Sequence, residues 1–173
     1  MIDGFETARL TVRRIGVEDA DFVLAILNDP GFLANIGDRG VRTIEDARGY
    51  VRDRIEGSYA THGFGMLRVA RRGDDRPVGL VGLVKRDGLD LPDLGFAYLA
   101  GETGRGYGTE AARGLLAAMP DARPLLAITA VDNHASAALL GKLGFVEGER
   151  MRLLGYAAES RVFRLDPASP RPD

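Results

Sequence analysis

The stretch "GETGRGYGTEA", residues 101–111, decides the fold. Its glycines at 104, 106 and 108 crowd a short segment. Glycine weakens the interior of both helices and strands, so such a cluster marks a sharp turn or a place where something comes close to the backbone. Before it, "LGFAYL" (94–99) reads as a strand. After it, Gly108 to Met119 reads as a helix, with Ala111, Ala112, Leu115, Leu116 and Met119 on one apolar face and Pro120 as its end. "PLLAITAV" (124–131) follows as a nearly continuous apolar run, the pattern of a strand buried on both faces. Strand, glycine loop, helix and strand together predict a right-handed crossover between parallel or near-parallel neighbours.

The segments on either side extend this unit. "RLTVRR" (9–14) alternates Leu10 and Val12 with polar neighbours, as a first strand does. In "EDADFVLAIL" (18–27), Ala20, Val23, Leu24 and Leu27 recur at helical spacing until "NDPG" (28–31) stops the segment. Residues 32–42 read as an irregular connection or a short helix. Thr43 caps a second helix running through Ile55, with Ala47, Val51 and Ile55 on one face, and this helix pair suits one wall of a substrate cleft. "GFGMLRVARR" (63–72) and "PVGLVGLVKR" (77–86) are strand-like and joined antiparallel by "GDD" (73–75). A last helix over 133–143 carries Ala135, Ala138, Leu139 and Lys142 on one face, with Asn133 as cap and Gly144 as stop. "MRLLGY" and "SRVFRL" suggest a closing hairpin. The sum is one α/β domain over residues 1–166, a mixed sheet covered by helices, with 167–173 as a polar, proline-rich, flexible tail.

Composition narrows the function. A chain of 173 residues that is 45% hydrophobic and 28% charged fits one globular domain. It has no apolar run long enough to span a membrane and no secretory-type start, so a cytoplasmic location is expected. With 23 basic against 25 acidic residues, no global positive field recommends nucleic acid as a partner. Two histidines and no cysteine leave little for a transition-metal centre, and no structural metal is expected.

The glycine loop suits an anion. Gly104, Gly106 and Gly108 let successive amides converge, and the helix start adds unpaired N–H groups at its positive end. Arg105 supplies a charge and Thr109 a hydroxyl, so a diphosphate fits better than a single carboxylate. A P-loop is excluded because "TEAA" stands where lysine and serine or threonine would follow. The dinucleotide fingerprint fits poorly, with Thr109 at its last glycine position and the motif late in the chain.

"GRGYGTEA" together with "NHASAALLGKLGFVEGE" (133–149) resembles the GNAT superfamily of acyl-CoA-dependent N-acetyltransferases, especially the ribosomal-protein N-terminal (RimJ/RimL-like) branch. Gly106 and Gly108 match the two small positions of the superfamily loop motif, while Thr103 stands where arginine or glutamine is usual. Asn133, Ser136, Leu143, Gly144, Phe145, Glu147 and Gly148 match the second block, and Gly141 departs from it. "FETARLTVRR" and "AILNDPGF" extend the likeness over nearly the whole domain.

The resemblance implies a three-layer domain with a central mixed, mostly antiparallel sheet and a splayed, near-parallel strand pair at the acyl-CoA site. It implies acetyl-CoA as cosubstrate, its pyrophosphate on the amides of Gly104, Arg105, Gly106, Tyr107, Gly108 and Thr109. The pantetheine arm would lie along Ala97, Tyr98 and Leu99, with Asn133 and Ser136 at the thioester. The implied activity is acetyl transfer to a primary amine, on a protein N-terminus or a small molecule, by a monomer or homodimer with no membrane partner.

Such transfer needs an unprotonated amine and a proton for the departing sulfur. Asp93, beside the cleft strand, is the first candidate base. Glu102 and Glu110 rank lower because a nearby diphosphate would repel them. Many superfamily members place a tyrosine seven positions after the asparagine, where this chain has Leu140, so Ser136 is the candidate to orient or protonate the sulfur. Asn133 reads equally as a helix cap, His134 and His62 are further candidate bases, and Tyr98 and Tyr107 read as packing residues or cofactor contacts. A CoA-binding regulatory module without turnover, an acyltransferase for another acyl-CoA, and an antibiotic acetyltransferase are the alternatives.

Overall fold

The structure is a computed structural model, and it describes residues 2–153 and 158–167. The strands are β1 (Gly4–Glu6), β2 (Leu10–Arg14), β3 (Met66–Arg71), β4 (Pro77–Val84), β5 (Asp93–Tyr98), β6 (Leu125–Ala130), β7 (Val146–Glu147) and β8 (Ser160–Leu165). They form one sheet in the order β1-β2-β3-β4-β5-β6-β8-β7. All pairings are antiparallel except β5 with β6.

The helices are α1 (Ala20–Leu27), α2 (Pro30–Asn35), α3 (Ile44–Tyr50), α4 (Gly57–His62), α5 (Tyr107–Ala118) and α6 (His134–Lys142). The central strand β4 is buried on both sides of its pleat from Val78 to Leu83, which requires cover on both faces of the sheet. One cover is α5, which buries Ala111, Ala112, Leu115 and Leu116. The other is the α1–α4 group, whose Val23, Ile26, Ala47, Val51, Ile55 and Tyr59 enter the same core. No helix among the described residues is long and apolar enough to cross a membrane.

Sequence chemistry explains most of these bounds. The Thr43 hydroxyl accepts the Asp46 N–H (3.1 Å) and the Asp46 carboxylate accepts the Thr43 N–H (2.9 Å), a reciprocal cap that starts α3 as expected. Asp29 accepts the Gly31 N–H (2.9 Å) and Pro30 leads α2, so "NDPG" ends one helix and begins another.

Three expectations are corrected. The helix expected to stop near Ile55 continues through a π-helical stretch, Val51–Glu56, into α4, because Val51, Ile55 and Tyr59 keep one face in the core across it. Strand β6 is buried on alternate residues only, since its other face opens where it leaves β5. Helix α6 buries Leu140, with Ala137 and Leu143 packed beside it, while Ala135, Ala138 and Lys142 are exposed. Alanines carry too little apolar area to mark a face. The closing hairpin is met in part, since Met151 bridges Ser160 antiparallel, while β8 otherwise lies between β6 and β7; residues 154–157 of "MRLLGY" lie outside the described residues, as do 168–173 of the tail.

Gly82 of β4 is sterically required. A Cβ on Gly82 would overlap the Gly65 carbonyl oxygen and stand 2.6 Å from the Met66 Cα, both backbone atoms with no room to yield. Gly82→Ala is therefore expected to destabilise the fold by about 2 kcal/mol or more, read as a lower urea midpoint. An unchanged midpoint would contradict this packing.

Candidate active site

Strands β5 and β6 make a fork. Their one register pair is Asp93 with Leu126, and the Leu126 N–H donates to the Pro92 carbonyl (3.0 Å). Beyond it β5 stays laddered to β4 and β6 to β8, so each strand is held from its outer side. Beyond this pair the backbone groups of β5 that face β6 have no strand partner among the described residues. An open edge inside a sheet offers hydrogen bonds to an extended ligand bearing amides.

The glycine loop closes the open end of the fork. The Ala100 N–H donates to Asp29 Oδ2 (2.9 Å), so this buried carboxylate ties the end of β5 to the start of α2. Gly104 and Gly106 take left-handed φ values of 75° and 81°. The Glu110 N–H bonds the Gly106 carbonyl (3.1 Å), which leaves the amides of Tyr107, Gly108 and Thr109 ahead of the helical ladder at its positive end. Gly108 works differently from its neighbours: it is helical, and a Cβ there would stand 2.8 Å from Leu139 Cδ1 and 3.3 Å from Tyr98 Cε2. Two glycines turn the chain and the third lets α5 approach β5 and α6. The Tyr98 hydroxyl is buried without a hydrogen-bond partner among the described residues, and burial pushes its pKa up.

Arg9, which sequence reasoning missed, joins this loop from β2's approach. Its Nε donates to Glu110 Oε2 (2.7 Å), its Nη1 to the Arg105 carbonyl (3.0 Å), and its guanidinium carbon lies 4.9 Å from the Tyr107 ring centre. Glu110 also accepts from the Thr7 hydroxyl (2.6 Å) and the Arg9 N–H (2.8 Å). Burial works against the charged carboxylate, but these hydrogen bonds outweigh it and hold Glu110 below its ordinary range. Glu102 is buried, with Arg105 at 3.5 Å and Arg76 at 3.6 Å. Both glutamates serve the loop's architecture.

The candidate catalytic groups are placed unequally. Asp93 sits at the closed end of the fork, 1% exposed, with both carboxylate oxygens 3.0 Å from Arg86 Nε. Desolvation raises its pKa against the pull of Arg86. It does not open into the cleft as expected, because β5 and β6 are still paired there. Asn133 Oδ1 accepts the Ser136 N–H (3.1 Å), so its capping role is formed, and the Ser136 hydroxyl has no partner among the described residues. His134 is exposed at the start of α6.

A cavity of about 760 Å³ runs beside β5 under the α1–α4 group. Ala97 and Phe96 of β5 line it, and so do Tyr50, Asp53, Arg54, Ser58 and His62 from the helical run that includes the π stretch. Those positions recur at three and four, so the polar face was readable from the sequence once the helix is carried to His62. The His62 ring stacks on Phe64, centroids 5.6 Å apart.

Fork, loop and helix order coincide with a known domain: the acetyltransferase (GNAT) domain model matches residues 9–146. The chain belongs to the GNAT acetyltransferase family. Solved structures share its fold. An acetyltransferase from Agrobacterium tumefaciens str. C58 is 21% identical with a TM-score of 0.78, covering 95% of each chain. A ribosomal-protein-S5-alanine acetyltransferase from Vibrio fischeri is 20% identical with a TM-score of 0.74, over 98% of this chain and 99% of that one. RimL, a ribosomal L7/L12 α-N-protein acetyltransferase solved with coenzyme A, is 14% identical with a TM-score of 0.77, over 92% and 95%. No curated protein sequence matches the chain significantly.

Two departures from the GNAT pattern have visible physical settings. Thr103, at the usual arginine or glutamine, donates its hydroxyl to the Ala100 carbonyl (3.0 Å) and closes the turn before the loop. Leu140, at the position of the usual tyrosine, is 0% exposed and belongs to the core.

Proposed function

We propose that this chain transfers the acetyl group of acetyl-CoA to a primary amine, on a protein N-terminus or a small molecule, by direct attack in a ternary complex. One observation carries the reading: the anion-accepting loop follows the open edge of β5 along the chain, and Phe96 belongs to both that edge and the cavity wall. The residues fit the cosubstrate. Amides of Tyr107, Gly108 and Thr109, with Arg105 and Arg9 beside them, suit a diphosphate, and the β6-facing edge of 94–98 suits the pantetheine amides.

Bound there, acetyl-CoA supplies the activated acyl carbon. The acceptor amine enters from the α1–α4 side, where the cavity walls hold it against the thioester, and this positioning accounts for much of the rate. Nitrogen and acyl carbon bond, the carbon–sulfur bond breaks, the nitrogen loses a proton and the sulfur gains one. In this reading Ser136 Oγ hydrogen-bonds the departing sulfur and Asn133 fixes the first turn of α6 around it. His62, on the cavity wall, takes the amine's proton in preference to the enclosed Asp93, which instead holds Arg86.

Thiol release across a panel of amines, with acetyl-CoA saturating, tests the reading. Ser136→Ala is expected to lower kcat by about tenfold to a hundredfold while leaving CoA affinity unchanged. Equal kcat in the variant would remove Ser136 from the mechanism. CoA binding without release of thiol by any amine would favour a regulatory CoA-binding module.

A further inference from the structure

We infer that the acceptor carries an anionic group, a carboxylate or phosphate, close to its reactive amine, and that Arg39 and Arg54 bind it. This rests on the acyl-transfer reading, since the cavity concerned is the one assigned to the acceptor.

The charges of the cavity wall come from three parts of the chain: Asp38 and Arg39 before α3, Asp53 and Arg54 in the π stretch, and Lys85 and Arg86 after β4. Several of them are already matched. Asp38 holds Arg42 at 2.5 Å and accepts the Gly40 N–H at 2.8 Å. Arg86 faces Asp93 at 3.0 Å, and Lys85 donates to the Leu89 carbonyl. Arg39 and Arg54 have no hydrogen bond or ion pair among the described residues, and Asp53 is the cavity's unmatched carboxylate.

Along the α3–α4 run the two faces differ. On the same helical run, Arg48 and Arg52 each lie 3.4 Å from Glu45, so the arginines turned away from the cavity share an acid while the one lining it does not. This occurs in a chain of formal charge -2, so the unmatched cations are no by-product of a basic composition. Guanidinium groups bind carboxylate and phosphate through two parallel hydrogen bonds. Here they stand, exposed to solvent, at the rim of a concave site whose walls include Val23, Leu27, Phe32 and Ile36, and low-dielectric walls concentrate the field of the charges. Asp53 complements the arrangement by attracting the ammonium form of an arriving amine.

The test is calorimetric titration of the protein loaded with desulfo-CoA. Its arms are tripeptide amides beginning with serine and continuing with two acidic, two neutral or two lysine residues, together with free glutamate and phosphoethanolamine. The acidic peptide, or one of the small anionic amines, is expected to bind at least about tenfold more tightly than the neutral peptide, and the lysine peptide more weakly still. The anionic arm that binds tighter identifies the source of the anion. The advantage should shrink to within about threefold in the Arg39→Gln, Arg54→Gln double variant, and should also fall as salt is raised to about 0.3 M. Binding of the acidic peptide and of both small anionic amines no tighter than that of the neutral peptide, or an anionic preference that survives in the double variant, overturns the inference. A separate titration with CoA alone distinguishes the underlying reading: if CoA fails to bind, acetyl transfer falls, and the acceptor series run without desulfo-CoA still reports the anion preference.

Discussion

Gly106→Val is expected to weaken CoA binding by about a hundredfold or more, equivalent to about 2.7 kcal/mol, while the protein stays folded. Two effects combine. Gly106 sits at a φ of 81°, where a side chain costs about 1–2 kcal/mol. A Cβ there would also lie 3.3 Å from the Arg9 guanidinium, at the loop position from which the Tyr107, Gly108 and Thr109 amides are approached. Backbone strain alone is controlled by Gly88→Val: its φ is 84°, nothing lies within 4 Å of an added Cβ, and it is outside the loop. The control should lose similar stability and keep its CoA affinity. Equal CoA affinity in folded Gly106→Val protein would displace the cosubstrate from this loop.

Asp19→Ala is expected to cost about 3–5 kcal/mol, a large share of a domain's typical stability. Asp19 is buried and accepts two hydrogen bonds from Arg13 (both 2.8 Å) and one from the Gly16 N–H (3.1 Å). Arg68 is 6% exposed, its Nε stands 3.6 Å from Asp19, and Asp75 holds its far end at 2.9 Å. Without the carboxylate, Arg13 and the buried Arg68 lose their common counter-charge. Desolvation opposes ionisation of Asp19 most strongly, yet the Arg13 and Gly16 hydrogen bonds and the two guanidinium charges together hold its pKa below the ordinary value. The folded pKa therefore lies under the unfolded value of about 3.9, so the contribution is full above that pH and is lost as pH falls through the folded pKa. Urea unfolding at pH 7 and in the acid range should show wild-type stability declining in acid and much of that decline missing in the variant. A loss under about 1 kcal/mol at pH 7 would contradict the network's role.

The parts of the site legible in the sequence are those set by local chemistry. The positive-φ glycines, the helix starting behind them, the Thr43 cap and the Asn133 cap each depend on a few adjacent residues, and all four formed as the sequence requires. What escaped depends on distant partners. Asp93 looked available because nothing next to it in the chain shows that Arg86 folds back on it, or that the fork is still closed at Leu126. Arg9 reads as the start of an ordinary strand until Glu110, from the far side of the glycine loop, claims it. The π stretch has no composition of its own; it follows from keeping Val51, Ile55 and Tyr59 in the core, and Gly57 disguises the continuation. Strand β1, three residues long, is too short for its alternation to be recognised.

The most direct test of the central claim is calorimetric titration of the wild-type protein with acetyl-CoA, set against adenosine diphosphate. Loop and open β5 edge acting together predict saturable binding of acetyl-CoA at least about tenfold tighter than the diphosphate fragment. No binding of acetyl-CoA by folded protein, or binding no tighter than that of the fragment, would contradict the assignment of the fork to the cosubstrate.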